Sequence, residues 1–173
     1  MSLSHLDSEG RARMVDVSGK MVTDRTATAI GYVRMSYPAF EQVRAGAVKK
    51  GDVLAVAEVA GVMAAKRTAE LIPLCHPIGL DDIKVDAALD PQLPGVQVRA
   101  TARLQARTGV EMEALTAVAV ACLTVYDMVK AVDREMTIEQ VCLIEKSCGA
   151  SGYWSRPENG RQDQETRNDD HRA

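Results

Sequence analysis

Polar and apolar residues alternate from Thr26 to Ser36, with Ala27, Ala29, Gly31, Val33 and Met35 on one parity and Tyr32 and Arg34 on the other. A period of two predicts a β-strand. Pro38 to Ala47 then reads as a short helix, and Gly51-Asp52 opens an Ala- and Val-rich stretch that runs to about Ile72, where Pro73 stops it. Within that stretch Leu54, Val59, Val62, Met63 and Leu71 recur at helical spacing, and Asp52 suits the N-cap. Alternation returns over Asp82 to Ala87 and Val96 to Leu104, with Pro91 and Pro94-Gly95 between them as turn residues. A second helix from about Glu113 to Val132 and a last strand over Gln140 to Glu145 complete the pattern.

The order β-α-β-β-α-β predicts an α+β, ferredoxin-like split βαβ domain: a four-stranded antiparallel sheet with helices packed on one face. Such a fold hosts many unrelated functions, so chemistry has to be argued from particular residues. The expected organisation is an extended arm over 1–24, the domain over 25–154, and a disordered polar tail over 155–173, where almost no apolar side chain remains to offset chain entropy.

The second helix is unusual in that Ala114 to Tyr126 carries no formal charge, and its apolar positions go nearly all round. A helix apolar on every side needs a second covering surface besides the sheet. Another subunit is the expected cover; Ala and Thr tolerated on an exposed face is the alternative. Glu113 and Asp127 bracket this helix about 21 Å apart, too far to meet one reacting atom within a single straight helix. They serve different purposes, or a neighbouring subunit supplies one of them.

Composition narrows the function classes. The chain has 173 residues and a formal net charge of −3, with 46% hydrophobic and 26% charged residues. That balance suits one soluble domain and offers no global field for nucleic acid, so no nucleic-acid partner is expected and phosphate must meet a local basic cluster. No secretory signal is evident in Met1 to Arg13 and no apolar run is expected to span a bilayer, so a cytoplasmic location without a membrane partner is expected. Cys75, Cys122, Cys142 and Cys148 form no C-x-x-C pair and read as free thiols of a reducing compartment.

Four polar clusters stand out. Lys49-Lys50-Gly51-Asp52 precedes the first long helix, and Lys66-Arg67 with Glu70 lies towards its end, where a solvated Lys66–Glu70 helical pair is the plain structural reading. Leu74-Cys75-His76-Pro77 places an imidazole in a stiff apolar loop, where it is either a structural histidine or a phosphate donor and acid–base group. Adjacent Cys75 and His76 lack zinc-ligand spacing, and no metal site is expected. Glu111-Met112-Glu113 opens the second helix, and Asp127 and Lys130, at i,i+3, close it on a shared face.

Together these runs resemble a known family. Met14-Val15-Asp16-Val17, Lys50-Gly51-Asp52-Val53, Ala64-Ala65-Lys66-Arg67-Thr68, Leu71 to Pro77, Thr108-Gly109-Val110-Glu111-Met112-Glu113-Ala114-Leu115-Thr116 and Tyr126-Asp127-Met128-Val129-Lys130-Ala131-Val132 are similar to segments of the cyclic pyranopterin monophosphate synthases (MoaC), in the same order over about residues 3 to 154. The resemblance implies a homo-hexamer, a trimer of dimers with active sites at the dimer interface. It implies conversion of 3′,8-cyclo-7,8-dihydroguanosine 5′-triphosphate to cyclic pyranopterin monophosphate and pyrophosphate in molybdenum-cofactor biosynthesis. Asp127 and Lys130 are then the catalytic pair, Lys130 as general acid and Asp127 orienting it or accepting a proton. Leu74, Cys75, His76, Met112 and Glu113 correspond to substrate-contacting segments, and Lys50, Lys66 and Arg25, with Arg67, are expected to bind the triphosphate. Glu111 is expected to accept from the guanine amide and amine edge. No resident cofactor is implied, and Mg²⁺ accompanying the triphosphate is left open.

The run Lys146-Ser147-Cys148-Gly149-Ala150-Ser151-Gly152 departs from the Lys-Ser-Gly-Gly-Lys-Ser-Gly of many relatives, with a Cys for Gly and an Ala for Lys. If this loop touches phosphate, substrate affinity rather than the chemical step is affected. A nucleotide sensor, a zinc hydrolase using His76 and Cys75, and a structural assembly protein are the rival classes.

Overall fold

The structure, a computed structural model, describes residues 9–148 and 152–157. Ala150 and the polar segment from 158 onward lie outside the described residues, as does the side chain of Cys148. The elements run β1 (Thr23–Arg34), α1 (Tyr37–Arg44), α2 (Val53–Ala65), α3 (Thr68–Leu71), β2 (Asp82–Asp90), β3 (Gly95–Ala106), α4 (Glu111–Val129), β4 (Thr137–Cys148) and β5 (Gly152–Ser155). All strand pairings are antiparallel, in the order β2-β3-β1-β4-β5.

The expected α+β architecture is present, but the sheet has five strands, not four. β5 escaped the sequence reading because it is only four residues long and exposed throughout, so no alternation marks it. The other correction concerns the first long helix, expected to reach Ile72. α2 stops at Ala65, where the Thr68 hydroxyl donates to the Ala65 carbonyl oxygen at 3.0 Å and occupies an acceptor that helix continuation would use. One turn, α3, follows and ends at Ile72 in extended conformation, as the residue before Pro73 requires. The break separates Lys66 from Glu70, and among the described residues the expected helical ion pair between them is not formed.

Small residues set the layer spacing. Ala27, Ala29, Gly31 and Val33 of β1 lie opposite Ala102, Ala100, Val98 and Val96 of β3, and all eight are buried on the helix side. Ala114, Ala117 and Ala121 of α4 descend onto them and are fully enclosed. A Cβ at Gly31 would stand 2.6 Å from Val118 Cγ1, so the closest approach of α4 to β1 depends on that glycine. The other sheet face is polar: the Thr28 and Thr101 hydroxyls pair at 3.1 Å, and Arg34 donates to Glu139 at 2.9 Å.

α4 packs on β1, β3 and β4 with one side and on α2 with another. Its second cover therefore comes largely from α2 of its own chain, where another subunit was the expected cover. By length and composition α4 alone among the described helices is apolar enough to cross a bilayer, contrary to the sequence expectation, yet its sides are taken by the sheet and α2 as in a core helix. Apolar surface is left over on the outer side of α2, where Val56, Val59 and Met63 are exposed, and at Leu123 of α4.

Candidate active site

The charged residues expected at the site lie towards the two ends of α4. At its C-terminal end Asp127 is held between two lysines. Lys130 Nζ lies 2.7 Å from Asp127 Oδ1, and Lys50 Nζ lies 2.6 Å from Oδ2. Helical i,i+3 spacing brings Lys130 to the carboxylate. Lys50 arrives from the turn ahead of α2, where Gly51 adopts φ 102 and Asp52 caps the helix by accepting from the Leu54 and Ala55 backbone N–H groups. Hydrogen bonds from Lys130 and then Lys50 hold the Asp127 carboxyl down to about 2. All three side chains are half exposed, so ion pairing rather than burial governs this end.

At the N-terminal end a cleft of about 350 Å³ is lined by Lys66, Arg67, Glu70, His76 and Glu113, among others. The break after Ala65 turns Lys66 and Arg67 into this cleft's wall. Glu113 is only 4% exposed, and burial, reinforced by the Glu111 charge, raises its pKa against the pull of its own backbone N–H. Burial and then the Glu113 charge push the neighbouring Cys75 thiol up as well. His76 Nε2 lies 2.8 Å from the Val15 carbonyl oxygen, so the arm is tied to the Cys-His-Pro loop. Leu74 and Met112 are exposed beside these groups in sequence.

Glu111 completes this end. Lys146 Nζ of β4 reaches its Oε1 at 2.9 Å. Burial works to raise the Glu111 carboxyl, but the Lys146 hydrogen bond, its own backbone N–H and the charges of Lys146 and Arg25 bring it below the ordinary range. A methyl group at Gly109 would overlap Glu111 Oε2, so Gly109 makes room for the carboxylate. Arg25 Nε is enclosed and has no hydrogen-bond partner among the described residues. Lys146 was not among the site residues expected from sequence; its only signal was its place at the head of the divergent Lys146–Gly152 run.

The structure thus joins Lys50, Asp127 and Lys130 in one cluster, and Lys66, Arg67, His76 and Glu113 in another, with Cys75, Glu111 and Arg25 adjoining the second. It does not bring the two together, since nineteen residues of continuous helix lie between the ends. Among the described residues no group of three or more His, Cys, Asp or Glu side chains is arranged to hold a metal ion.

A family profile described as the MoaC family matches residues 14–149, a span that contains every residue of both clusters. The chain belongs to the MoaC family. Relatives of this MoaC-family chain include a protein of Methylobacterium nodulans, 58% identical over 153 residues, covering 88% of this chain and 96% of that one. Another, of Thermomicrobium roseum, is 58% identical over 154 residues, 89% of this chain and 93% of the relative. A third, of a Nostoc species, is 54% identical over 156 residues, 90% and 93% of the two chains. All three carry the name cyclic pyranopterin monophosphate synthase.

Proposed function

We propose that this protein is a cyclic pyranopterin monophosphate synthase, a lyase of molybdenum-cofactor biosynthesis acting on 3′,8-cyclo-7,8-dihydroguanosine 5′-triphosphate. The observation that carries the reading is the clamp of Lys50 and Lys130 on Asp127 in a chain so similar to proteins of that name. The reaction opens and recloses rings, which needs proton transfers, and closes a cyclic phosphate. In that closure a hydroxyl oxygen bonds to the α-phosphorus, its proton passes to a base, and the bond to the bridging oxygen breaks to release pyrophosphate. Lys130 donates protons as general acid, and the low Asp127 pKa favours an orienting role for that carboxylate over proton acceptance. Lys50, Lys66, Arg67 and His76 offer donors to the phosphates and to the departing pyrophosphate. Glu113, Cys75, Leu74 and Met112 line the substrate's other side. The reading needs no resident cofactor, and Mg²⁺ would enter with the triphosphate.

Separation of the clusters along α4 favours an active site shared between two protomers, in a homo-hexamer built as a trimer of dimers. The exposed apolar strip Val56, Val59 and Met63 on α2 supplies surface that such an assembly would cover. The domain is read as a ferredoxin-like unit over about residues 25–154, supported by the order β2-β3-β1-β4, with β5 added at one edge. A cytoplasmic location follows from the biosynthetic role.

The test is direct. Purified protein incubated with the cyclic dihydro-GTP intermediate is expected to yield pyrophosphate and a pterin that becomes fluorescent on oxidation. Absence of both, where an authentic synthase gives them, rejects the reading.

A further inference from the structure

Sheet register places the only tryptophan of the chain opposite Lys146, the residue that reaches the Glu111 carboxylate. β5 pairs with β4 so that Trp154 is the cross-strand neighbour of Lys146. Residues paired in this way project from one face, with Cβ atoms about 5 Å apart. Lys146 reaches from that face to Glu111 at the head of α4, 2.9 Å away. The preceding residue, Tyr153, is on the opposite face, where its hydroxyl donates to Glu145 at 3.3 Å. Trp154 therefore stands on the helix side of the sheet, and it keeps 38% of its surface open to solvent.

Three kinds of group belong to this end of the sheet: the exposed indole of Trp154, the half-buried carboxylate of Glu111, and the donors of Lys146 and Arg25. The Arg25 Nε has no partner among the described residues. A guanine-type bicycle is the complement of this set. It offers a flat ring to the indole, adjacent N–H and NH₂ donors to the carboxylate, and a carbonyl oxygen to the cations. Phosphates suit the Glu111 carboxylate poorly because it presents negative charge; Lys66, Arg67 and His76, which line the cleft, suit them better.

We propose that Trp154 is the stacking platform of a ring-binding subsite in which Glu111 reads the amide and amine edge of the substrate's heterocycle. The assignment rests on the function proposed above and adds a specificity-determining residue to it.

Because Trp154 is the sole tryptophan, its emission reports on this one position. Titration of the full chain with GTP, an unreactive purine triphosphate, is expected to quench that emission saturably, whereas CTP and inorganic tripolyphosphate leave it nearly unchanged. In turnover assays Trp154→Leu, which keeps an apolar side chain on β5 but has no π-face, is expected to raise KM about tenfold with kcat within about twofold of wild type. Trp154→Phe is expected to restore KM. A Trp154→Leu KM within about twofold of wild type, or equal quenching by GTP and tripolyphosphate, overturns the stacking role. A wild-type chain without turnover instead rejects the underlying function, so the two failures are told apart.

Discussion

Lys50 is joined to Asp127 twice: its Nζ donates to Oδ2 at 2.6 Å and to the Asp127 backbone carbonyl oxygen at 2.8 Å. The loop ahead of α2 is thereby tied to the last turn of α4. With Lys130 on the other carboxylate oxygen, Asp127 carries negative charge throughout the neutral range and serves to hold two ammonium groups in place.

Carbon-detected NMR titration of Asp127 is expected to give a pKa of about 2, below the ordinary 3.8. A carboxyl depressed on folding contributes stability above its unfolded pKa and loses it as pH falls through the folded one. The Tm gap between wild type and Asp127→Asn is therefore expected at neutral pH and should shrink from about pH 4 towards about pH 2. A gap that persists unchanged across that window contradicts the lysine clamp.

Lys130→Ala is expected to lower kcat by about 10²–10⁴-fold, the usual range for a lost general acid. Circular dichroism should remain that of the wild type, since the Lys130 side chain is half exposed. Full turnover in the variant would remove Lys130 from the mechanism without touching the fold.

Glu113 shows the opposite balance. Burial holds its pKa above the ordinary value, so folding favours its protonated form, and the penalty of the buried anion is greatest at neutral pH and relieved as pH falls towards the unfolded value. Glu113→Gln is expected to raise Tm at neutral pH while lowering kcat/KM. A variant less stable than wild type at neutral pH would show that the carboxylate has a structural partner in solution.

Gly109→Ala should separate binding from stability. The added methyl meets the far end of a flexible Glu111 side chain rather than backbone, so the carboxylate swings away at small cost to the fold. KM is expected to rise by about tenfold or more, with Tm within about 2 °C of wild type. An unchanged KM would mean that the position of Glu111 does not matter to the substrate.

Gly31→Ala has the reverse signature. Its methyl would press on Val118, Val141 and Cys122 where α4 rests on β1. A loss of about 1–3 kcal/mol is expected, read as a lower urea midpoint at constant m-value. A midpoint equal to wild type would indicate that the layers separate freely at this point.

The order and kind of the major elements were legible in the chain because periods of two and 3.6 are local properties. Asp52 as the α2 N-cap and the i,i+3 pair Asp127–Lys130 were legible for the same reason: each depends on neighbours within a turn. Where competing local forces were nearly balanced, the pattern misled. The apolar spacing continues past Ala65, but the Thr68 hydroxyl ends the helix there and hands Lys66 and Arg67 to the cleft.

Contacts between distant segments were decided by packing and register. Residues Ala29 and Ala27 of β1 pair with Leu143 and Lys146 of β4, so the strand gains one residue between them. That bulge reverses the alternation and turns Lys146, rather than Glu145, towards Glu111 on α4. Composition and spacing therefore established which side chains were available for chemistry. Which of them meet follows from strand register, a bulge and the close approach of helices over alanine and glycine, because those arise only when segments far apart along the chain are pressed together.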